Sequence, residues 1–173
     1  MILPHFMLVQ KRYGDITAKV KEFGLNSYES KLWVALLGKG AATASYRLEP
    51  RAFVAVDTSV AGDHPELKPD DAPVNLGKGP TIVLVEAGAR GNVAEKTLAQ
   101  KTLQIAKTGK IAVQIEVIDG GATDAASVHN IRGGIPSIGI CIPTRYIHST
   151  VAVAHEDDVE NEIKLLRNMI SEL

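Results

Sequence analysis

Cysteine is nearly missing from this chain: one, Cys141, among 173 residues, so no disulfide can close within it. That thiol lies inside an apolar run, where a free cysteine packs as a small hydrophobe. The scarcity fits a reducing, cytoplasmic setting. A basic block is also missing. Nineteen Lys and Arg against twenty Asp and Glu leave a formal charge of −1, which argues against nucleic acid as a main partner, since phosphate binding needs clustered cations. No apolar run reaches the roughly 20 residues of a membrane span. Met1–Val9 is apolar but lacks a basic leader and is broken by Pro4 and His5, so it does not read as a signal peptide. Repeats and low-complexity segments are absent too.

What is present is ordinary globular material, 45% apolar and 23% charged, enough for one domain with its own core. Gly14 and Asp15 open a predicted helix through Phe23. Lys31–Leu37 is apolar, and the turn Gly38-Lys39-Gly40 leads into a short helix at Ala41–Ser45. Arg51–Val56 reads as a buried strand ending at Asp57. The loop after it, with Pro65, Pro69 and Pro73, can be neither central strand nor helix. Thr81–Val85 is a second buried strand. Asn92 with Glu95 resembles a capping box for a helix to about Lys107, stopped by Gly109. Ile111, Val113, Ile115 and Val117 alternate with Gln114 and Glu116, the pattern of a half-buried strand near a sheet edge. Thr123 caps a short helix to about Ile131, and Ser137–Ile142 is apolar throughout, hence central. Asp157 and Glu160 signal a last helix that docks through Val159, Ile163, Leu166 and Ile170.

Strands alternating with helices predict an α/β three-layer sandwich, a mostly parallel or mixed sheet flanked by helices. Ligands in such sheets bind beyond the carboxyl ends of strands. Asp57 and the Pro143–Ser149 loop with His148 both follow strands there. A carboxylate beside an imidazole suits zinc or cobalt, but a site needs about three protein ligands per ion, and two donors fall short. Lys78 sits in a Gly-rich turn that could cradle an anion, but two glycines with a lysine favour a plain turn.

Five stretches occur in a telling order: AVDTSVAGDHP (Ala55–Pro65), LGKGP (Leu76–Pro80), GGATDA (Gly120–Ala125), RGGIPS (Arg132–Ser137) and PTRYIHS (Pro143–Ser149). Together they resemble the catalytic domain of the tetrahedral aminopeptidases, glutamyl and deblocking enzymes whose members are often labelled endoglucanase or cellulase. The resemblance spans about Val34 to the C-terminus. It implies a zinc-peptidase-like fold, peptides as substrates and two co-catalytic metals, zinc or cobalt. It assigns Asp57 to one metal and His148 to the other. Gly120, Gly121, Asp124 and Arg145 would serve the substrate side, with Arg145 and Tyr146 also positioning the His148 loop.

The chain departs from that family at its front. The family places a Glu-Glu pair, general base and metal ligand, directly before a Val-Gly-Leu-x-Gly run. Here Val34-Ala35-Leu36-Leu37-Gly38 matches the run, but Leu32-Trp33 stand where the pair belongs. The His-x-Asp ligand segment and the bridging Asp have no match in Met1–Lys31, and the family's small inserted β domain has no room. Residues 1–33 therefore read as a segment unlike the family, ahead of a C-terminal part of the catalytic domain at 34–173. The expectation is a truncated or diverged aminopeptidase, inactive alone, without nucleic-acid or membrane partners. The alternatives are one half of a split enzyme completed by a partner chain, and a non-catalytic module that forms homo-oligomers.

Overall fold

The structure, a computed structural model, describes residues 40–64, 67, 72–88 and 91–173. The expected Gly14–Phe23 helix, the Leu32-Trp33 position and the boundary at 33/34 lie outside the described residues. Among the described residues ten elements follow in chain order: α1 (Ala41–Leu48), β1 (Phe53–Val60), β2 (Thr81–Glu86), β3 (Asn92–Val93), α2 (Lys96–Thr108), β4 (Gln114–Ile118), α3 (Ala125–Val128), β5 (Ser137–Arg145), β6 (Val153–Ala154) and α4 (Glu156–Glu172).

The strands form one mixed sheet ordered β1-β5-β2-β3, with β4 on β2 and β6 on β5. β5 is the hub: it runs parallel to β1 and antiparallel to β2. Its uninterrupted apolar sequence fits a strand paired on both sides and covered on both faces. Register assigns the faces. Val54 pairs with Ile138 and Val56 with Ile140, on the face where Ile82, Ile138 and Ile140 pack against Leu98 and Ile105 of α2 and Leu165 and Met169 of α4. On the other face, Phe53 and Ala55 pack with Ala41 of α1 and Ala125 and Val128 of α3. This is the expected sandwich of helix, sheet and helix.

Four local expectations are corrected. β1 does not end at Asp57 but continues to Val60, because the parallel ladder with β5 holds through Val60 and Thr144. Asn92 does not cap α2; it sits in β3 opposite Glu86, and the cap is Glu95, whose carboxylate accepts from the amides of Thr97 and Leu98. β4 begins at Gln114 rather than Ile111 and faces opposite to its hydropathy: Ile115 and Val117 are 53% and 58% exposed, whereas Glu116 is buried. On α4 the buried residues are Asp158, Glu162, Leu165 and Met169, while Ile163 is half exposed.

The rotation of α4 is set by a contact distant in sequence. The carboxylate of Asp158, fully buried, accepts from the amides of Gly77 and Gly79, both at 2.7 Å. The Gly-Lys-Gly turn does cradle an anion, and the anion belongs to the chain itself. Both glycines have positive φ, 73° and 94°, a conformation that costs a glycine little. An Asn at position 158 would present one acceptor and set its amide hydrogens against a backbone N–H. Asp158→Asn is expected to lower unfolding free energy by about 2–3 kcal/mol, read by urea denaturation. An unchanged midpoint would contradict this anchoring role.

Candidate active site

A cavity of about 460 Å³ opens at the carboxyl ends of β1 and β4. Asp57–Val60 line it from β1, Glu116–Ile118 from β4, Asp119–Thr123 from the following loop, and Ile147 and His148 from the loop after β5. The sequence-predicted Asp57 and His148 therefore reach one cavity, as do Gly120 and Gly121. Asp57 and His148 are exposed, and the Asp57 carboxylate accepts from the Thr58 amide at 2.8 Å.

Asp124 is not among the lining residues, but it feels the site: burial first, and then the charge of Asp57, pushes its carboxyl above the usual range. It makes no capping bond to α3. That bond comes from Thr123, whose hydroxyl accepts from the Ala125 amide at 3.1 Å and donates to Glu86 Oε1 at 2.6 Å. The Gly-Gly turn sits close against the chain beyond β2. The Gly88 amide donates to the Gly121 carbonyl at 2.9 Å, and a Cβ at Gly88 would stand 2.5 Å from that oxygen.

Arg145 is engaged elsewhere. Its guanidinium donates through Nε (3.1 Å) and Nη2 to the two carboxylate oxygens of Asp63. The hydrogen bond from Arg145 holds the Asp63 carboxyl below its ordinary value. Next to this pair, the ring of His64 meets that of Tyr146 edge-on, with centroids 4.9 Å apart. Tyr146 and His148 both adopt positive φ, 59° and 63°, a strained choice for residues with side chains.

Sequence reasoning passed over Glu116. Burial drives its carboxyl up, opposed in part by the hydroxyls of Thr81 and Ser59. Its Oε2 has no partner among the described residues. The one available signal was an acid placed between two β-branched residues of a strand. Cys141 is fully buried; burial, with the charge of Glu116 next, raises its thiol far above the ordinary value, so it stays protonated, as its apolar run suggests.

Asp57, Glu116 and Asp119 make the cavity acidic, and His148 is the lining residue able to carry positive charge among those described. Such a surface attracts cations. As a test of fit to a metal, a carboxylate and an imidazole are suitable donors, but no three His, Cys, Asp or Glu side chains converge among the described residues. They supply part of a coordination sphere.

The mixed α/β sandwich, a sheet flanked by helices, is the fold of solved aminopeptidases. The chain belongs to the M42 glutamyl aminopeptidase family, whose model matches residues 38–165. It is 33% identical over 139 residues to a lysyl aminopeptidase of Pyrococcus furiosus, covering 78% of this chain and 37% of the relative. An aminopeptidase from the archaeon Desulfurococcus kamchatkensis superposes with a TM-score of 0.74 at 34% identity, over 78% of this chain and 38% of that one. The TET1 peptidase of Pyrococcus horikoshii, described as assembling into a tetrahedron or a large octahedral shell, gives 0.57 at 28% identity, over 76% and 38%. The chain spans 37–40% of the length of the first curated relatives it matches. Among the described residues, no helix is long and apolar enough to cross a membrane.

Proposed function

We propose that this chain carries the C-terminal part of a two-metal aminopeptidase site and does not cleave peptides by itself. The observation that carries the reading is the meeting of Asp57 and His148 at one acidic cavity. On this reading Asp57 and His148 descend from ligands of the two separate ions of the family's centre, and here, where no third donor converges among the described residues, they share a single zinc or cobalt ion. Bound metal in such a centre polarises the amide carbonyl and acidifies its attacking water. The chain's own contribution is to bind and orient. Gly120 and Gly121, with Asp124 behind them, shape the floor under the peptide, and Arg145 holds the His148 loop in place. The Glu-Glu pair that resemblance to the family leads one to look for is replaced by Leu32-Trp33, so a proton acceptor at that position is lacking.

Equilibrium dialysis against zinc tests the ligand assignment. At most one zinc per chain is expected, weakly held, and lost in both Asp57→Asn and His148→Gln. Two tightly held ions, or binding that survives both substitutions, would overturn it.

A second reading, self-association in the cytoplasm, is favoured by the exposed apolar strip on the sheet. Val85 pairs with Val93 on one side and Val117 on the other, and Val93, Ile115 and Val117 are all exposed. Apolar patches of this kind mark interfaces. Light scattering should report a mass above that of one chain, reduced by Val117→Lys; a monomer at tens of micromolar would dismiss the idea.

A further inference from the structure

We infer that Asp63 and His64 act as a positioning clamp that holds His148 at the Asp57 cavity before any ligand arrives. The inference rests on the proposed role of His148, and its test does not require metal or turnover. Two consecutive residues of the loop after β1 grip two consecutive residues at the end of β5: Asp63 takes Arg145, the last residue of the strand, through two hydrogen bonds, and His64 takes Tyr146, the first beyond it, ring to ring. His148 lies two residues beyond Tyr146. Asp57 lies six residues before Asp63 on the rigid strand β1.

The clamp is needed because the gripped segment is intrinsically unfavourable. Tyr146 and His148 both hold left-handed backbone, and such residues persist when the surroundings over-determine them. Within the turn itself, the Ser149 N–H donates to the Tyr146 carbonyl at 3.1 Å and the Ser149 hydroxyl to the Val151 carbonyl at 2.6 Å, and the short β5–β6 ladder closes its base. These bonds close the turn on itself but do not tie it to the β1 side of the cavity, whereas a forked guanidinium–carboxylate pair across to Asp63 adds directional restraint. The backbone also ties the two loops at their roots: the Ala61 amide donates to the Thr144 carbonyl at 3.1 Å. The Asp63–Arg145 pair follows that root in sequence on both segments, and restrains the loop that carries His148.

Hydrogen exchange of the full chain, without metal, reads the clamp. Exchange of the Ser149 amide reports opening of the His148 turn, and that of Ile140 reports the sheet. Asp63→Asn and Arg145→Gln are each expected to speed Ser149 exchange by about fivefold, the scale of a partly exposed ion pair, with Ile140 unchanged. The double variant should match the single ones, because the two side chains act through each other. Unaltered Ser149 exchange, additive effects, or an equal acceleration at Ile140 would each overturn the clamp. Loss of zinc binding at Asp57 and His148 with the clamp intact would instead count against the metal assignment alone.

Discussion

Aminoacyl anilides are expected to survive incubation with the isolated chain, with or without added zinc or cobalt. A general base positioned at the reacting water is worth roughly 10²–10⁴-fold in rate, and neither Leu32 nor Trp33 can accept a proton. The metal side is short as well. A catalytic ion needs about three protein ligands, and no three candidate donors converge among the described residues. The cavity can still attract the substrate's ammonium group through Asp57, Glu116 and Asp119, so weak peptide binding without turnover is the expected behaviour. A release assay on leucyl, glutamyl and lysyl anilides checks this. Turnover near the 1 s⁻¹ or more common among enzymes would mean that a base and a coordination sphere are supplied from positions assigned no role above.

Replacing Glu162 by Gln is expected to stabilise the protein strongly at alkaline pH and hardly at all near pH 4.5. Glu162 is buried on α4, and its Oε1 has no hydrogen-bond partner among the described residues. Burial first, and the charge of Asp57 next, raise its carboxyl from 4.5 to about 8. The sign follows from proton counting. Between those two values the folded state keeps a proton that the unfolded state releases, so stability falls as pH rises through this window. Below 4.5 both states are protonated and the penalty vanishes. Above 8 it is complete, at roughly 5 kcal/mol. Glutamine keeps the shape and removes the titration. Urea denaturation at pH 5 and pH 8.5 should show a gain for Glu162→Gln mainly at the higher pH. Equal gains at both would assign the effect to packing, and no gain at pH 8.5 would show that the carboxyl ionises freely in the fold.

Glu162 also shows where sequence reading stopped. Val159, Ile163, Leu166 and Ile170 form a good apolar stripe, yet α4 turns Asp158 and Glu162 inward. Hydropathy ranks these acids as surface residues. What overrides it is a long-range anchor, the Gly77 and Gly79 amides closing on Asp158 from a loop some 80 positions earlier. The same limit applies to β4. Alternation found the strand and its edge position but reversed its faces, because the register with β2 aligns Glu116 with Val83, on the cavity side. Where a strand is paired on both sides and covered on both faces, as with β5, local sequence and tertiary environment agree and the reading held. That Asp57 and His148 reach one cavity was legible because both were placed at the carboxyl ends of strands and because five ordered motifs contained them, although Asp57 lies within β1 rather than after it. Asp63 lay inside one of those motifs, but its role depends on Arg145, 82 residues away, and pairwise contacts across that distance leave no periodic trace.

The account depends on Asp57 and His148 facing one cation from the two sides of the cavity. Zinc titration followed through the His148 imidazole resonances by NMR tests this directly. A zinc-dependent shift at His148 in the native chain, abolished by Asp57→Asn, is the predicted result. A His148 signal that ignores zinc, or one that shifts identically without the Asp57 carboxylate, would contradict it.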